Sequence, residues 1–360
     1  MQITSVEIQE HTLRFRFEAG TSRGTLKEKK TWYLKLYNEG NLIGIGEAGP
    51  LKGLSIENID EMPAQLELLK SKLEGQQIPD SMEAVLELAE KLTNDAFPSI
   101  RFAVETALLN ALYKDKTIFP SDFVRNEKRI PINGLIWMGE KGFMRQQIEE
   151  KIKAGFNCIK MKIGAIDFET ELELLKSIRD QANEDQMILR VDANGAFDPA
   201  NALDKLDQLS ALGIHSIEQP IKAGQINKMK ALCKESSLPI ALDEELIGVN
   251  NKVEKKALLA AIQPQYIILK PSLIGGIKST LEWVQIAESL NIGWWMTSML
   301  ESNIGLNAIC QLADYLQVEI HQGLGTGQLY HNNIDSPLTI KKGHIYYDLQ
   351  KSWGSLDDLT

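Results

Sequence analysis

The chain has 360 residues, 43% of them hydrophobic and 24% charged, with 39 Lys and Arg against 49 Asp and Glu for a net charge of -10. This length gives a substantial core and room for more than one domain, and the negative balance repels nucleic acid and anionic membranes, which favours a small-molecule partner. Cys158, Cys233 and Cys310 stand far apart without CxxC spacing, so neither a zinc cluster nor a disulfide framework is expected and a reducing cytoplasm fits. No run approaches the roughly 18 apolar residues of a membrane span, and the N-terminus "MQITSVEIQEHTLRF" alternates like a strand instead of carrying a signal core.

The first part, residues 1–129, opens with "TSVEIQEHTLRFRF", "KTWYLKLYN" and "LIGIGEAGPL", which alternate as an antiparallel meander. Three helical stretches follow, "IENIDEMPAQLELLKSKLEG", "MEAVLELAEKL" and "SIRFAVETALLNALYK". Strands first and helices after predict an α+β domain. "GIGEAG" fits GxGxxG, but Pro50, Leu51, Lys52 and Gly53 follow it where a dinucleotide site needs a helix, so it reads as a cap strand and loop. The stretch from Ala19 to Lys30 reads equally as a mobile lid over a site or as a solvated loop.

From Ile130 the pattern becomes short apolar runs, each followed by an amphipathic stretch: "IPINGLIW", "CIKMKIG", "ILRVDAN", "SIEQPI", "IALDEE", "YIILKPS" and "WWMTSML", with a weaker eighth near "VEIHQGLG". Strand-helix repeats imply a parallel sheet. The polar residues that close the runs, Lys162, Asp192, Glu218, Asp243 and Lys270, recur every 25 to 30 residues, a regularity that predicts a closed α/β barrel of TIM type over residues 130–325. The segment 326–360, with the hairpin-like "LTIKKGHIYYDL", is expected to return to the first domain.

In "CIKMKIG" the lysines Lys160 and Lys162 share one strand face, and Ile159, Met161 and Ile163 share the other, which must meet the helices. The same parity turns Asp192, Asn194, Glu218, Asp243, Lys270 and Ser298 into the barrel, each at a C-terminal strand end, where barrel enzymes keep their sites. Mutual neutralisation in ion pairs explains any one of these charges, but three acids and three lysines at one mouth exceed what a packed core tolerates. Asp192, Glu218 and Asp243 on neighbouring strands can converge on one hard cation, and with no Cys or His among them magnesium is the natural candidate. Lys162 and Lys270 then flank the ion from opposite sides. Lysines near other cations are expected to have lowered pKa values and to act as bases near neutral pH.

The strand-first cap with "GIGEAGPL", then "KMK", "DAN", "EQP", "DEE", "KPS" and "GLGTG" in order, together resemble the enolase superfamily, in its muconate lactonizing subgroup, over nearly the whole chain. The resemblance implies a modified (β/α)7β barrel with an α+β capping domain. It implies Asp192, Glu218 and Asp243 as ligands of Mg2+, with Mn2+ able to substitute, and Asn194 and Glu244 as their supporting neighbours. It implies Lys162 as general acid/base, Lys270 as the cation that stabilises an enediolate, and Lys160 as the residue that orients the carboxylate and Lys162. The implied reaction is syn dehydration of a succinyl-bearing hydroxycyclohexadiene carboxylate. Racemisation of N-succinylamino acids or epimerisation of dipeptides are the enzymatic alternatives, and a metal- and acid-binding barrel without turnover is the non-enzymatic one.

Strand seven, "WWMTSML", lacks the histidine base of some relatives, and "HQGLGTG" lacks the paired aspartates that hold a dipeptide ammonium. The glycine-rich loop, with Gly323 and Gly325, instead suits a second substrate carboxylate through its N-H groups. Ser298 is expected at that end of the substrate, while Ser302 reads equally as a helix cap or as part of an anion site. Glu245 stands where relatives often carry serine. His215 and His321 receive no role, and Trp294 and Trp295 read as barrel packing. Oligomeric state is not legible.

Overall fold

The computed structural model describes residues 1–21 and 24–356. Ser22 and Arg23 of the expected lid, and residues 357–360 of the C-terminal segment, lie outside the described residues.

Strands β1 (Ser5–Thr21), β2 (Gly24–Asn38) and β3 (Asn41–Ala48) form an antiparallel sheet in the order β1-β2-β3. The stretch expected as a lid or loop mostly continues the β1–β2 ladder, with Ala19 opposite Leu26 and Gly20 opposite Thr25. It is therefore an extended arm whose backbone groups are paired. Between Arg14 and Ala19 the register with β2 shifts. There β1 takes a different partner: Phe15 bridges to Tyr330, and the Arg16 N-H donates to the Leu329 carbonyl at 2.8 Å.

Helices α1 (Met62–Leu73), α2 (Met82–Leu92) and α3 (Pro98–Tyr113) complete the cap. Ser81 caps α2 by accepting the Ala84 N-H, and Pro98, which needs no N-H partner, opens α3. Every residue of α3 from Pro98 to Ala111 is buried, as a helix apolar around most of its circumference requires. The two glycines of "GIG" explain the close packing of β3 on α3. A Cβ at Gly44 would stand 2.2 Å from the Ala107 carbonyl oxygen, and one at Gly46 would stand 2.0 Å from that of Ala103. These glycines serve backbone approach, the role glycine has when it leaves no room for a side chain.

After α4 (Asp122–Arg125) and the short β4 (Ile130–Pro131), seven parallel strands alternate with helices. They are β5 (Gly134–Ile136), β6 (Cys158–Lys162), β7 (Ile188–Asp192), β8 (Ser216–Glu218), β9 (Ile240–Leu242), β10 (Tyr266–Leu269) and β11 (Gly293–Met296). The helices are α5 (Lys141–Lys153), α6 (Phe168–Arg179), α7 (Ala202–Ser210), α8 (Ile226–Glu235), α9 (Lys252–Ile262), α10 (Gly276–Ser289) and α11 (Asn303–Tyr315). The sheet runs in sequence order from β5 to β11.

The weak eighth strand is reduced to two bridging residues, since Gln322 pairs in parallel with Ile132 and Gly323 with Thr297. The Gln322 N-H donates to Pro131 at 2.8 Å and the Gly323 N-H to Met296 at 2.8 Å, which closes the wall between β11 and β5. A glycine-rich run lacks the β-branched side chains that extend a strand, so pairing stops there. Finally β12 (Leu338–Lys341) and β13 (His344–Tyr347) form a hairpin whose second strand pairs with β4. Among the described residues no helix is long and apolar enough to cross a membrane.

Candidate active site

The parallel register lines up the charges. Lys162 is opposite Asp192 between β6 and β7, and Asp192 is opposite Glu218 between β7 and β8. Asp243 follows β9 directly, with its N-H donating to the Gln219 side chain at 3.2 Å, and Lys270 follows β10. Three strands separate β6 from β10 in the sheet, and the Gln322–Gly323 closure fills the eighth position, so Lys162 and Lys270 stand on opposite walls.

All six charged groups are buried. The Lys160 ammonium lies 3.0 Å from an Asp192 oxygen and also donates to Glu218. Lys162 donates to Asp192 at 3.0 Å and to the Asn194 side-chain oxygen at 2.8 Å, with its ammonium 6.0 Å from the centre of the Trp137 ring. Lys270 donates to Asp243 and lies 4.0 Å from the second Glu218 oxygen. Asn194 in turn donates to Glu244 at 3.2 Å, which ties the β7 and β9 ends together. Just beyond the acids that end β7 and β8 the backbone turns left-handed, at Asn194 with φ 44° and at Gln219 with φ 40°. Such conformations are sparsely populated, and sites that must aim several side chains at one point are where they collect.

The electrostatics correct one expectation. Burial opposes the charge on Lys270, yet Asp243, Glu218 and Glu244 outweigh it and raise its pKa, where neighbouring lysines were expected to lower it. Lys160 is raised in the same way by Asp192 and Glu218. Among the acids, burial opposes ionisation of Asp192 but the three lysines hold its pKa down. Burial, with Asp192 and Asp243 nearby, pushes Glu218 up to about 7. Burial, reinforced by the neighbouring acids, thus makes one carboxyl group of the mouth resist ionisation.

The donor set fits a hard divalent cation, because it offers carboxylate oxygens alone and one Glu218 oxygen is buried without a hydrogen-bond partner. In this arrangement one oxygen of each acid is held by an ammonium group, and among the described residues no three His, Cys, Asp or Glu stand ready at ligand spacing. A cation here takes oxygens that lysines now hold.

Above these groups lies a cavity of about 600 Å3 with Lys160, Lys162, Asp192, Asn194, Lys270 and Ser298 in its lining. Gly323 and Gly325 line it too, as do the apolar Phe17, Leu26, Leu51 and Leu54 of the cap and Leu135, Trp137, Met299 and Leu300 of the barrel. The arm formed by β1 and β2 therefore reaches the cavity through Phe17 and Leu26. Leu135 and Trp137, like the cap residues that join them, are placed at the cavity by the fold. The Gly323 N-H is engaged in barrel closure, so it is not free to hold a substrate carboxylate as the loop reading expected. Ser298 donates to Glu301 at 2.5 Å, and Ser272 donates to the same carboxylate.

Other expectations resolve plainly. Ser302 caps α11, accepting the Ile304 N-H at 3.2 Å. Glu245 points to the neighbouring loop, accepting the Gly224 N-H at 2.9 Å. Trp295 packs in the barrel under the Arg190 guanidinium, 4.0 Å from its carbon to the ring centre, and burial together with Arg190 lowers His215 and His321 to about 4. Both histidines stay neutral at pH 7, away from the mouth.

Residues 143–350 match the family described as enolase C-terminal domain-like. The chain is 46% identical to the o-succinylbenzoate synthase of Desulfotalea psychrophila over 92% of its own length and 95% of that protein. It is 25% identical to the hydrophobic dipeptide epimerase of Enterococcus faecalis, over 87% of each. Its fold superposes on the crystal structure of MenC from Desulfotalea psychrophila LSv54 with a TM-score of 0.84 at 42% identity, covering 95% of this chain and 99% of that one. The L-Ala-D/L-Glu epimerase of Bacillus subtilis, 21% identical with a TM-score of 0.82, shares the fold. The chain belongs to the enolase superfamily, and within it to the family of o-succinylbenzoate synthases.

Proposed function

We propose that the chain is a lyase of o-succinylbenzoate synthase activity, which dehydrates 2-succinyl-6-hydroxy-2,4-cyclohexadiene-1-carboxylate to 2-succinylbenzoate in menaquinone biosynthesis. One observation carries this reading: Lys162 and Lys270 face each other across a buried trio of carboxylates beneath a cavity lined by cap and barrel. Asp192, Glu218 and Asp243 would hold magnesium, with manganese able to substitute. When bound, the ion supplies positive charge that stabilises the negative charge developing on the substrate carboxylate.

The chain's own residues do the rest. Lys162 removes the proton alpha to the carboxylate and then delivers a proton to the departing hydroxyl on the same face, which makes the elimination syn. Asn194 and Asp192 hold the Lys162 ammonium in place for that reach. Lys270, on the opposite wall, offers fixed positive charge to the developing carbanion in a site screened from water. Lys160 orients the carboxylate and Lys162. Aromatisation favours product, so the protein mainly lowers the cost of the carbanion. Ser298 and the Gly323–Gly325 loop face the succinyl end, where N-H groups beyond Gly323, such as that of Gly325, serve its carboxylate. Three free, buried cysteines accord with a reducing, cytoplasmic setting.

Purified protein with magnesium and the cyclohexadiene substrate should consume it. Absence of turnover by folded, metal-loaded protein rejects the assignment. Racemisation of N-succinylamino acids or epimerisation of dipeptides uses the same proton removal, and exchange of the alpha proton in deuterated water, compared across the three substrates, ranks them. If folded wild-type protein complements a strain lacking menaquinone synthesis no better than Lys162→Ala does, the barrel binds metal and acid without turning it over.

A further inference from the structure

Glu105 sits in the middle of α3, a cap helix, with its side chain wholly buried and remote from the substrate cavity. Its carboxylate reaches across to the barrel. One oxygen accepts the Ile277 N-H and the other accepts the Lys278 N-H at 3.2 Å. These are N-H groups of the first turn of α10, a helix of 14 residues, which have no partner within the helix. The residue that would normally cap α10 is Gly275, which has no side chain to do so. The barrel helix is thus capped by a carboxyl group from another domain, one whose pKa burial pushes up to about 8. The approach is so close that a Cβ at Gly276, already at φ 89°, would stand 2.1 Å from a Glu105 oxygen.

The capped turn is linked to Lys270 through the loop between them. The Lys270 carbonyl accepts the N-H groups of Leu273 at 2.8 Å and Ile274 at 3.1 Å, and the Pro271 carbonyl accepts that of Gly276 at 2.8 Å. From Lys270 to the start of α10 the chain is therefore one hydrogen-bonded run with its far end pinned by Glu105. The N-terminal end of α3 has a joint of its own, since buried Glu57 accepts the Ser99 N-H at 2.6 Å. Glu57 follows the loop whose Leu51 and Leu54 line the cavity. The helix is a strut between the substrate-facing loop and the Lys270 turn.

We propose that Glu105 is a positioning residue for the dehydration: by capping α10 from the cap domain it sets where the Lys270 ammonium stands against the substrate. This rests on the reading of Lys270 as the cation that stabilises the carbanion. The cap domain is then part of the catalytic apparatus and not only a cover. Loss of the cap lets the turn relax, and a displacement of about 1 Å at a catalytic group costs about 100-fold in rate.

The test compares Glu105→Gln, Glu105→Ala and Lys270→Met, each assayed with magnesium for dehydration and with substrate deuterated at the alpha carbon. Glutamine keeps one acceptor and lowers kcat per folded molecule about 10-fold, and alanine lowers it about 100-fold. KM stays within about twofold of wild type, and the primary isotope effect is at least as large, because proton removal has become slower. The folded fraction comes from an unfolding curve at the assay temperature. If alanine fails to fold, the glutamine variant decides. A kcat per folded molecule within twofold of wild type in Glu105→Gln, or an isotope effect below that of wild type, overturns the inference. If Lys270→Met keeps full activity, the assignment of Lys270 itself is wrong. If that variant is inactive while Glu105→Gln is normal, only the role of Glu105 falls.

Discussion

Replacing Lys160 with methionine tests the charge arrangement at the barrel mouth. The side chain is 7% exposed, and its ammonium lies between two carboxylates, 3.0 Å from Asp192 and hydrogen-bonded to Glu218. Methionine keeps the length of the stem and removes only the charge and the donors. Asp192 then retains Lys162, while Glu218 retains only Lys270 at 4.0 Å, beyond hydrogen-bond reach. Breaking a buried pair and leaving one charge behind costs about 3–5 kcal/mol, and the surviving contact with Lys162 places the expectation near 3 kcal/mol. Urea unfolding in EDTA measures this as a lower midpoint with unchanged slope. Magnesium at 100 times its dissociation constant stabilises the native state by about 2.7 kcal/mol, and it should recover at least that much here, since an ammonium competing for the same oxygens is gone. A loss under about 1 kcal/mol in EDTA, or no response to magnesium in either protein, refutes the reasoning.

Lys162→Ala should reduce dehydration and alpha-proton exchange by about 100-fold or more while leaving magnesium affinity, read by calorimetry, within a few fold of wild type. Gly276→Ala should destabilise the protein by at least about 1–3 kcal/mol in thermal unfolding, because its Cβ meets Glu105 and its φ of 89° disfavours any side chain. Glu57 predicts a pH dependence: burial raises its pKa from 4.5 to about 7. The folded state therefore keeps a proton that the unfolded chain has lost between those values, and the contribution of Glu57 to stability falls as pH rises through that window. Glu57→Gln, which keeps an acceptor for the Ser99 N-H, should gain stability relative to wild type between pH 5 and pH 7.5. A difference that stays constant with pH would show that Glu57 is ionised throughout.

Much of the mouth is legible from parity and period alone. A strand has a two-residue repeat, so "KMK" must turn both lysines to the same side, and the even spacing of polar strand ends can only be met if those ends share one rim. The eighth strand is poorly legible for a related reason: the run "HQGLGTG" has no alternation to read, and the structure pairs only Gln322 and Gly323. The pairing of the stretch from Ala19 to Lys30 is poorly legible because its glycine and charged residues resemble a loop, whereas the ladder its described residues join depends on β2 lying alongside.

By itself the sequence determined the order of the elements, the inward face of each strand and the kinds of charge at each strand end, because these follow from local repeats along one chain. Only the tertiary structure decided which ammonium meets which carboxylate, that the carboxylates outweigh the neighbouring lysines and raise the pKa of Lys270, and that Glu105 caps a helix 172 residues away. Those outcomes depend on distances between segments remote in sequence and on the exclusion of water from the space between them, and neither quantity is written in any local pattern.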